Sequence, residues 1–351
     1  MSAPLRVVVC GTRFGQIYLA ALARAPERYR LVGILARGSA RSRALAEQYG
    51  VPLYDAVEQL PDDVDAACVV VSSAVGGGRG ADLARALLER GVHVLQEHPV
   101  HPDELADCLR VARRTGTQYV VNTFYPYVEP VRRFTSAARA LIRQRRPVFV
   151  DALCAVQVSF DLLDILADIF DGLRPWSVTP VGDSRGRPLT AVHGTVAGVP
   201  LTLRVENRMK EGDDSSSLLL HRITVGTDAG NLMLANTHGP VIWSPVLRTT
   251  SDPLGLWFTG ADAPDVGGPT GAYVGGPDTP TWSTVVRDVW GDGVVSALDD
   301  LRDRITAKTD PLRGGQRMLT VARAWKELTE GLGYPETSTP DPGEPLTVAD
   351  L

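Results

Sequence analysis

With 351 residues, 44% of them hydrophobic and 22% charged, the chain is too long for one compact core and too apolar for a disordered one. A formal net charge of −5 argues against a nucleic-acid binder, which needs a basic excess to displace phosphate counterions. Four scattered cysteines, Cys10, Cys68, Cys108 and Cys154, show neither zinc nor disulfide spacing, and no apolar run is long enough to span a membrane. A cytoplasmic protein with reduced thiols and two domains is therefore expected.

Leu5 to Cys10 is a β-branched run that meets Gly11-Thr12-Arg13-Phe14-Gly15, after which Tyr18 to Arg24 has helical spacing. The cycle repeats with strand Leu31 to Ala36 and helix Ser42 to Gln48, strand Ala67 to Ser72 and helix Ala81 to Arg90, and strand Val92 to Gln96 and helix Asp103 to Thr115. A last strand follows at Tyr119 to Phe124. Such alternation requires right-handed crossovers and a parallel sheet, so residues 1–124 read as an α/β Rossmann domain.

After Tyr125 the pattern changes. An arginine-rich helix, Val131 to Arg146, leads into a strand at Val148 to Val158, a helix at Leu162 to Phe170, and a series of strands separated by turn residues. Ala197-Gly198, Asp228-Ala229-Gly230 and His238-Gly239 mark the turns of an antiparallel meander. Residues 125–310 thus read as an α+β domain with a large, mainly antiparallel sheet, interrupted by a Gly- and Pro-rich loop at 251–282. Helical spacing returns at Ser283 to Lys308 and at Gln316 to Glu330; 311–334 is a separate C-terminal helical piece and 335–351 a loose tail. No internal repeat or metal-ligand cluster is evident.

Three places carry candidate chemistry. Gly11 and Gly15 stand between the first strand and a helix, where a backbone turn can approach a pyrophosphate, with Arg13 between them. The second strand ends in Arg37-Gly38-Ser39-Ala40-Arg41-Ser42-Arg43, without the carboxylate that would bind a ribose diol. Arg37, Ser39, Arg41 and Ser42 at a helix start suit a 2′-phosphate, hence NADP(H), the alternative being a solvated face with a serine N-cap. Ser72 and Glu97 complete the expected cofactor contacts.

The third place is Glu97-His98-Pro99, at the carboxyl end of a strand, with Tyr125 ending the next one. An imidazole and a phenol there are competent proton donors; each could instead be a packing residue. His101, His193, His221 and His238 lack that position and read as structural. Lys210, Lys308 and Lys326 are the only lysines, so no lysine from the N-terminal half takes part.

A nucleotide domain with Glu-Lys-Pro after its fifth strand, followed by a sheet domain, resembles the glucose-fructose oxidoreductase and inositol dehydrogenase (Gfo/Idh/MocA) superfamily, with His98 in the place of the catalytic lysine. Gly11 to Leu19, Gly38 to Arg43, Gly91 to Pro99, Asn122 to Pro126 and Gly239 to Ser244 together resemble the thiazolinyl imine reductases of siderophore assembly, of yersiniabactin and pyochelin type. The likeness runs to about residue 330, although the superfamily's middle glycine in the first turn is replaced.

The resemblance implies NADPH-dependent reduction of a thiazoline C=N while the substrate is tethered to a peptidyl carrier protein of a nonribosomal peptide synthetase. It carries the proton donors onto His98 and Tyr125 and the cofactor contacts onto Gly11, Thr12, Arg13, Phe14, Ser39, Arg41 and Ser42. A homodimer through the open face of the second sheet is also implied, as is a final helix packing back on the first domain. The competing readings are a sugar or polyol dehydrogenase and a non-catalytic dinucleotide-binding regulator.

Overall fold

The sequence Leu-Arg-Val-Val-Val-Cys makes strand β1 (Leu5–Cys10), and Val7, Val8, Val9 and Cys10 are fully buried, as a central parallel strand covered on both faces requires. The computed structural model describes residues 3–71, 78–182, 186–210, 217–247, 268–338 and 346–351. Around β1 lie β2 (Tyr29–Leu35), β3 (Leu53–Tyr54), β4 (Ala66–Val69), β5 (His93–Glu97) and β6 (Tyr119–Asn122). They form one parallel sheet in the order β3-β2-β1-β4-β5-β6. Helices α1 (Gly15–Arg24), α2 (Ala40–Tyr49), α3 (Arg79–Glu89) and α4 (Pro102–Thr115) accompany the strands, giving the expected doubly wound fold. The strand order reverses between β1 and β4, so a crevice opens beyond Cys10 and Val69. Strand β3, two residues long, is too short to leave a periodic signal in the sequence.

Helix α5 (Glu129–Gln144) buries Val131, Phe134 and Ala138 on one stripe and leads into β7 (Pro147–Ala155) and α6 (Ser159–Ile169). Then come β8 (Ser177–Val181), β9 (Thr190–Val196) and β10 (Val199–Glu206), joined to the sheet by the tight Ala197-Gly198 turn, whose two residues have φ of 51° and 76°. Strand β11 (Arg208–Lys210) is followed by β12 (His221–Thr227), β13 (Gly230–Leu234), β14 (Val241–Pro245) and β15 (Ala272–Tyr273). The eight-stranded sheet has the order β15-β14-β13-β12-β7-β10-β9-β8.

The meander read from the turns needs one correction. Strands β7 and β10 pair in parallel, because the chain leaves β7 through α6 and returns by way of β8 and β9. All other pairs of this sheet are antiparallel.

The C-terminal helices close the seam between the two sheets. Helix α7 (Trp282–Thr284) passes through a π turn at Val285–Val289 into α8 (Trp290–Thr306), and α9 (Gly315–Leu332) follows. The sequence places α8 in the second domain, yet it packs on α1 of the first. Arg24 Nη1 donates to the carbonyls of Arg287 and Asp288, and the Tyr29 hydroxyl donates to Asp299 at 2.5 Å. Helix α9 packs against α6 and α4, with Trp325 edge-on to Phe160 at 5.6 Å. The tail is not loose throughout: β16 (Glu336–Ser338) pairs with β11 in parallel. No helix among the described residues is long and apolar enough to cross a membrane.

Two histidines of the second domain are held neutral. His221, fully buried on β12, has Nε2 3.0 Å from the Val158 carbonyl and Nδ1 3.1 Å from the Thr237 hydroxyl. The first contact needs an N–H and the second a lone pair, so the Nε2–H tautomer fits. The indole N–H of Trp290 donates to His238 Nε2 at 3.1 Å. Burial lowers both imidazoles to about 4.

Their folded-state values lie below the unfolded value near 6.5. The stability they contribute is therefore complete above about pH 6.5 and is lost as pH falls towards 4, by at most about 3 kcal/mol per group. Thermal unfolding between pH 8 and 4.5 is expected to show Tm declining through that window, with a shallower decline in His221→Gln. An unchanged slope in the variant would assign the loss to other groups.

Candidate active site

The turn after β1 is shaped by contact with its neighbour strand. Gly11 has φ +94°, and a Cβ at this position would stand 2.3 Å from the Val70 carbonyl oxygen. Only glycine fits there, and the chain passes close over the end of β4. Thr12, Arg13 and Phe14 follow, with Gly15 buried at the first position of α1. No side chain among the described residues caps α1; the Ile17 amide donates to the Phe14 carbonyl at 3.0 Å, and a helix start beyond the carboxyl end of β1 is the kind of place where backbone amides receive an anion. Phe14 packs against Phe124 at 5.4 Å and Trp290 at 6.4 Å, joining the turn to β6 and α8.

At the end of β2, Arg37, Ser39 and Arg41 are exposed. Ser39 caps α2 by accepting from the Ser42 amide at 3.1 Å. Ser42 itself is fully buried, and its hydroxyl donates to the Ser39 carbonyl at 2.9 Å. Its side chain, expected among the cofactor contacts, thus braces the turn. Arg43 folds back on the Gly38 carbonyl. Ser72 lies outside the described residues.

His98, just beyond β5, stands at the centre of the third cluster. Its Nδ1 is 3.2 Å from Glu97 Oε1 and 3.2 Å from the Asn122 carbonyl oxygen, and its Nε2 is 2.9 Å from Asp161 Oδ2. Phe160 stacks on the ring at 6.2 Å. Glu97 is fixed in turn by the hydroxyl of Tyr18 from α1 and by the Asn122 amide, which is 3.3 Å from Oε2. Glu97, expected among the cofactor contacts, thus has both carboxylate oxygens engaged within the protein.

Tyr125 enters from the next strand through a strained turn. Phe124 has φ 58° and ψ −66°, and the Tyr125 amide donates to the Thr123 carbonyl at 2.6 Å, the signature of a rare γ-turn. The Asn122 side chain holds it by accepting from the Phe124 amide at 2.9 Å. The Tyr125 ring is 7% exposed and meets His221 edge-on at 5.0 Å. Its hydroxyl makes no hydrogen bond to another described residue.

Electrostatics follow from this packing. Burial alone would lower the His98 pKa, but Asp161 and Glu97 outweigh it and hold the imidazole well above its ordinary value. Burial raises Asp161 to about 7 against the pull of His98. Burial, with Asp161 and Glu97 nearby, keeps the Tyr125 phenol protonated. The site is thus rich in protons at neutral pH and can serve as a general acid.

His98 and Tyr125 lie on adjoining parallel strands at the same sheet end as the glycine turn. Asp161, Asn122 and Tyr18 were given no individual role from the sequence, and His221 was read as structural. Asp161 left one signal: an acid in Ser-Phe-Asp-Leu-Leu-Asp-Ile-Leu-Ala is out of character in an apolar helix, whose side chains face a core. His101 caps α4 as a structural residue, whereas His221 forms part of the wall behind Tyr125.

Residues 5–123 match the GFO_IDH_MocA family, described as an oxidoreductase family with an NAD-binding Rossmann fold. Residues 145–244 match the C-terminal domain of Irp3-like thiazolinyl imine reductases. No curated protein sequence matches the chain. Among solved structures, an oxidoreductase from Agrobacterium radiobacter in complex with NAD+, L-tartaric acid and magnesium superposes with a TM-score of 0.69 at 12% identity, over 93% of this chain and 96% of that chain. A putative NADPH-dependent oxidoreductase from Desulfitobacterium hafniense gives 0.69 at 11% identity, over 95% and 96% of the two chains. GenD2 of gentamicin A biosynthesis, in complex with NAD, gives 0.64 at 14%, over 94% and 95%. At such identities the likeness speaks for the fold alone. From the two family matches, which follow one another along the two domains, this chain belongs to the Gfo/Idh/MocA oxidoreductase superfamily, with the C-terminal domain of its Irp3-like reductases.

Proposed function

We propose that this protein is an NADPH-dependent thiazolinyl imine reductase, acting on a thiazoline tethered as a thioester to a peptidyl carrier protein during assembly of a nonribosomal siderophore or related product. The observation that carries the proposal is His98, ringed by Glu97, Asp161 and the Asn122 carbonyl, at the end of β5. This is a protonated acid where a dehydrogenase of the superfamily would place a lysine base. Lys326, by contrast, lies on α9 beside Glu330, and among the described residues no lysine stands at the ends of β5 or β6. The Irp3-like match of the second domain supports the same substrate class.

The residues present fit a dinucleotide. The Gly11 turn admits close approach, the uncapped start of α1 offers amides to a pyrophosphate, and Arg37, Ser39 and Arg41 are disposed for a 2′-phosphate. NADPH, when bound, supplies the hydride for the imine carbon. Charge then builds on the imine nitrogen, and His98 and Tyr125 provide or relay the proton that neutralises it. The aromatic joint of Phe14, Phe124 and Trp290 keeps water from one side of the cleft.

Three surfaces complete the proposal. The face of the large sheet turned away from α5 and α6, bearing Phe149, Thr202 and Arg222, is the surface we assign to a homodimer. Arg143, Arg145 and Arg146, exposed at the end of α5, are assigned to the carrier protein, and 251–282 to covering the tethered substrate; 251–267 lies outside the described residues. Arg133 and Arg139 are tied to Glu129 and Asp168, so among the described residues the unpaired basic charge of the helix lies at Arg132 near its start and at its far end, about 24 Å from that start. The four cysteines are buried free thiols, a state that suits the reducing cytoplasm in which we place the enzyme.

Turnover of a synthetic 2-substituted thiazoline with NADPH tests the activity itself; cofactor binding without turnover of free or carrier-bound substrate would favour the regulatory reading. Arg41→Ala is expected to raise KM for NADPH roughly tenfold to a hundredfold, the loss of one charge-assisted hydrogen bond of about 1.5–3 kcal/mol, while leaving KM for NADH nearly unchanged. Equal effects on both cofactors would remove the 2′-phosphate assignment.

Tyr125→Phe and His98→Ala should each lower kcat in part. The double variant should lose about a hundredfold to ten-thousandfold, with NADPH affinity retained as measured by fluorescence titration. A folded double variant with near-normal turnover would place the proton source in solvent. Charge reversal of Arg143 and Arg146 is expected to slow reduction of the carrier-bound substrate in a salt-dependent manner and to spare a small free analogue; identical responses would exclude docking at α5.

A further inference from the structure

Both nitrogens of His98 face acceptors. On the Nδ1 side stand Glu97 Oε1 and the Asn122 carbonyl, each at 3.2 Å, and on the Nε2 side Asp161 Oδ2 at 2.9 Å. A neutral imidazole has one N–H and one lone pair, and here the lone pair would be forced against an oxygen acceptor. Two proton arrangements relieve this: an imidazolium beside an Asp161 carboxylate, or a neutral Nδ1–H imidazole accepting from a protonated Asp161. They contain the same number of protons.

Among the described residues Asp161 has no other ion-pair or hydrogen-bond partner. It is fully exposed to neither water nor a second cation: its side chain is buried to 0% accessibility, and neither carboxylate oxygen has a well-aligned hydrogen-bond donor. The approach of His98 Nε2 is short but off-line, so the contact is one of close charges. Asp164, one helical turn on, is satisfied separately by the Thr123 hydroxyl and Arg317. An unpaired carboxylate at such a depth is costly, whereas the start of α6 and a protonated neighbour both favour its charge.

We infer that Asp161 is a positioning residue for proton transfer: from the first turn of α6 it clamps the Nε2 side of His98 and, with Glu97 opposite, keeps a transferable proton on the histidine–aspartate pair. The proton leaves the pair for the imine nitrogen, directly or through the Tyr125 hydroxyl, as the hydride reaches carbon; His98 is left neutral beside the Asp161 carboxylate, and solvent restores the proton. Only the proton's destination rests on the reductase reading.

The groups facing His98 come from every surrounding element. Glu97 belongs to β5, Asn122 to β6, Tyr18 to α1 behind Glu97, Phe160 and Asp161 to α6, and Tyr125 to the turn after β6. His221, on β12, adds no charge, because burial holds it neutral. Among the described residues Asp161 is therefore the one neighbour on the Nε2 side whose charge a conservative substitution removes.

The test reads the histidine first and the reaction second. In protein labelled with ¹⁵N-histidine, with His98 assigned by loss of its signals in His98→Asn, the wild type is expected to keep both ring nitrogens in proton-bearing form well above pH 6.5. Asp161→Asn is expected to lower the titration midpoint by about one pH unit or more, and Asp161→Glu to restore much of it. In thiazoline turnover, kcat of Asp161→Asn should fall off at correspondingly lower pH than the wild type, with KM for NADPH unchanged and partial rescue by the glutamate. A wild-type midpoint near 6.5, or a midpoint unmoved in Asp161→Asn, overturns the inference. Should the midpoints shift as expected while no variant, nor the wild type, reduces thiazolines, the positioning role stands and the reductase reading falls.

Discussion

The contact on which the site depends is His98 held between carboxylates from two domains. Glu97 comes from the Rossmann sheet, one residue away in sequence, and Asp161 from a helix of the second domain. Glu97 is also held by Tyr18 and Asn122, whereas the Asp161 carboxylate is costly at this depth without the imidazole, and the imidazole is favoured in its protonated form by both. Docking of the two domains and the protonation of the site are thus one event. A shift of α6 by an ångström would weaken both together.

Much of the remaining structure keeps α6 and the end of β6 in place. Helix α6 is the crossover between the parallel strands β7 and β10, and α9 covers it, with Trp325 against Phe160, whose other neighbour is the His98 ring. Asn122 binds the other side: its carbonyl faces His98, its amide donates towards Glu97, and its side-chain oxygen holds the strained turn at Phe124 that presents Tyr125. Strain at that turn persists because Asn122, Phe14 and Trp290 hold Phe124 in place. Helix α8, pinned to α1 through Arg24 and to β2 through Tyr29, brings Trp290 against Phe14 and Phe124 and so connects the glycine turn to the same cluster.

The turn after β1 and the arginines after β2 are built on different physical grounds. The Gly11 turn is rigid and sterically determined, since β4 leaves no room for a side chain. Arg37 and Arg41 sit on an exposed helix start whose geometry Ser39 and Ser42 fix between themselves. The first feature belongs to the fold; the second can change by surface substitution without disturbing the core.

The sequence by itself determined the parallel first sheet, the turn at Gly11, the arginines after β2 and the pair His98 and Tyr125, because each depends on local period or on position at a strand end. Tight turns such as Ala197-Gly198 were equally legible, since a two-residue connection with positive φ restricts the residue types that can form it. What only the tertiary structure decided involves partners far apart in the chain. The parallel pairing of β7 with β10, the return of α8 to α1, and the burial of Ser42 all depend on neighbours that no local pattern names. Asp161 is the sharpest instance: the apolar sequence around it marks the acid as unusual, but only its packing against a histidine 63 positions earlier, at 0% exposure, shows what it faces.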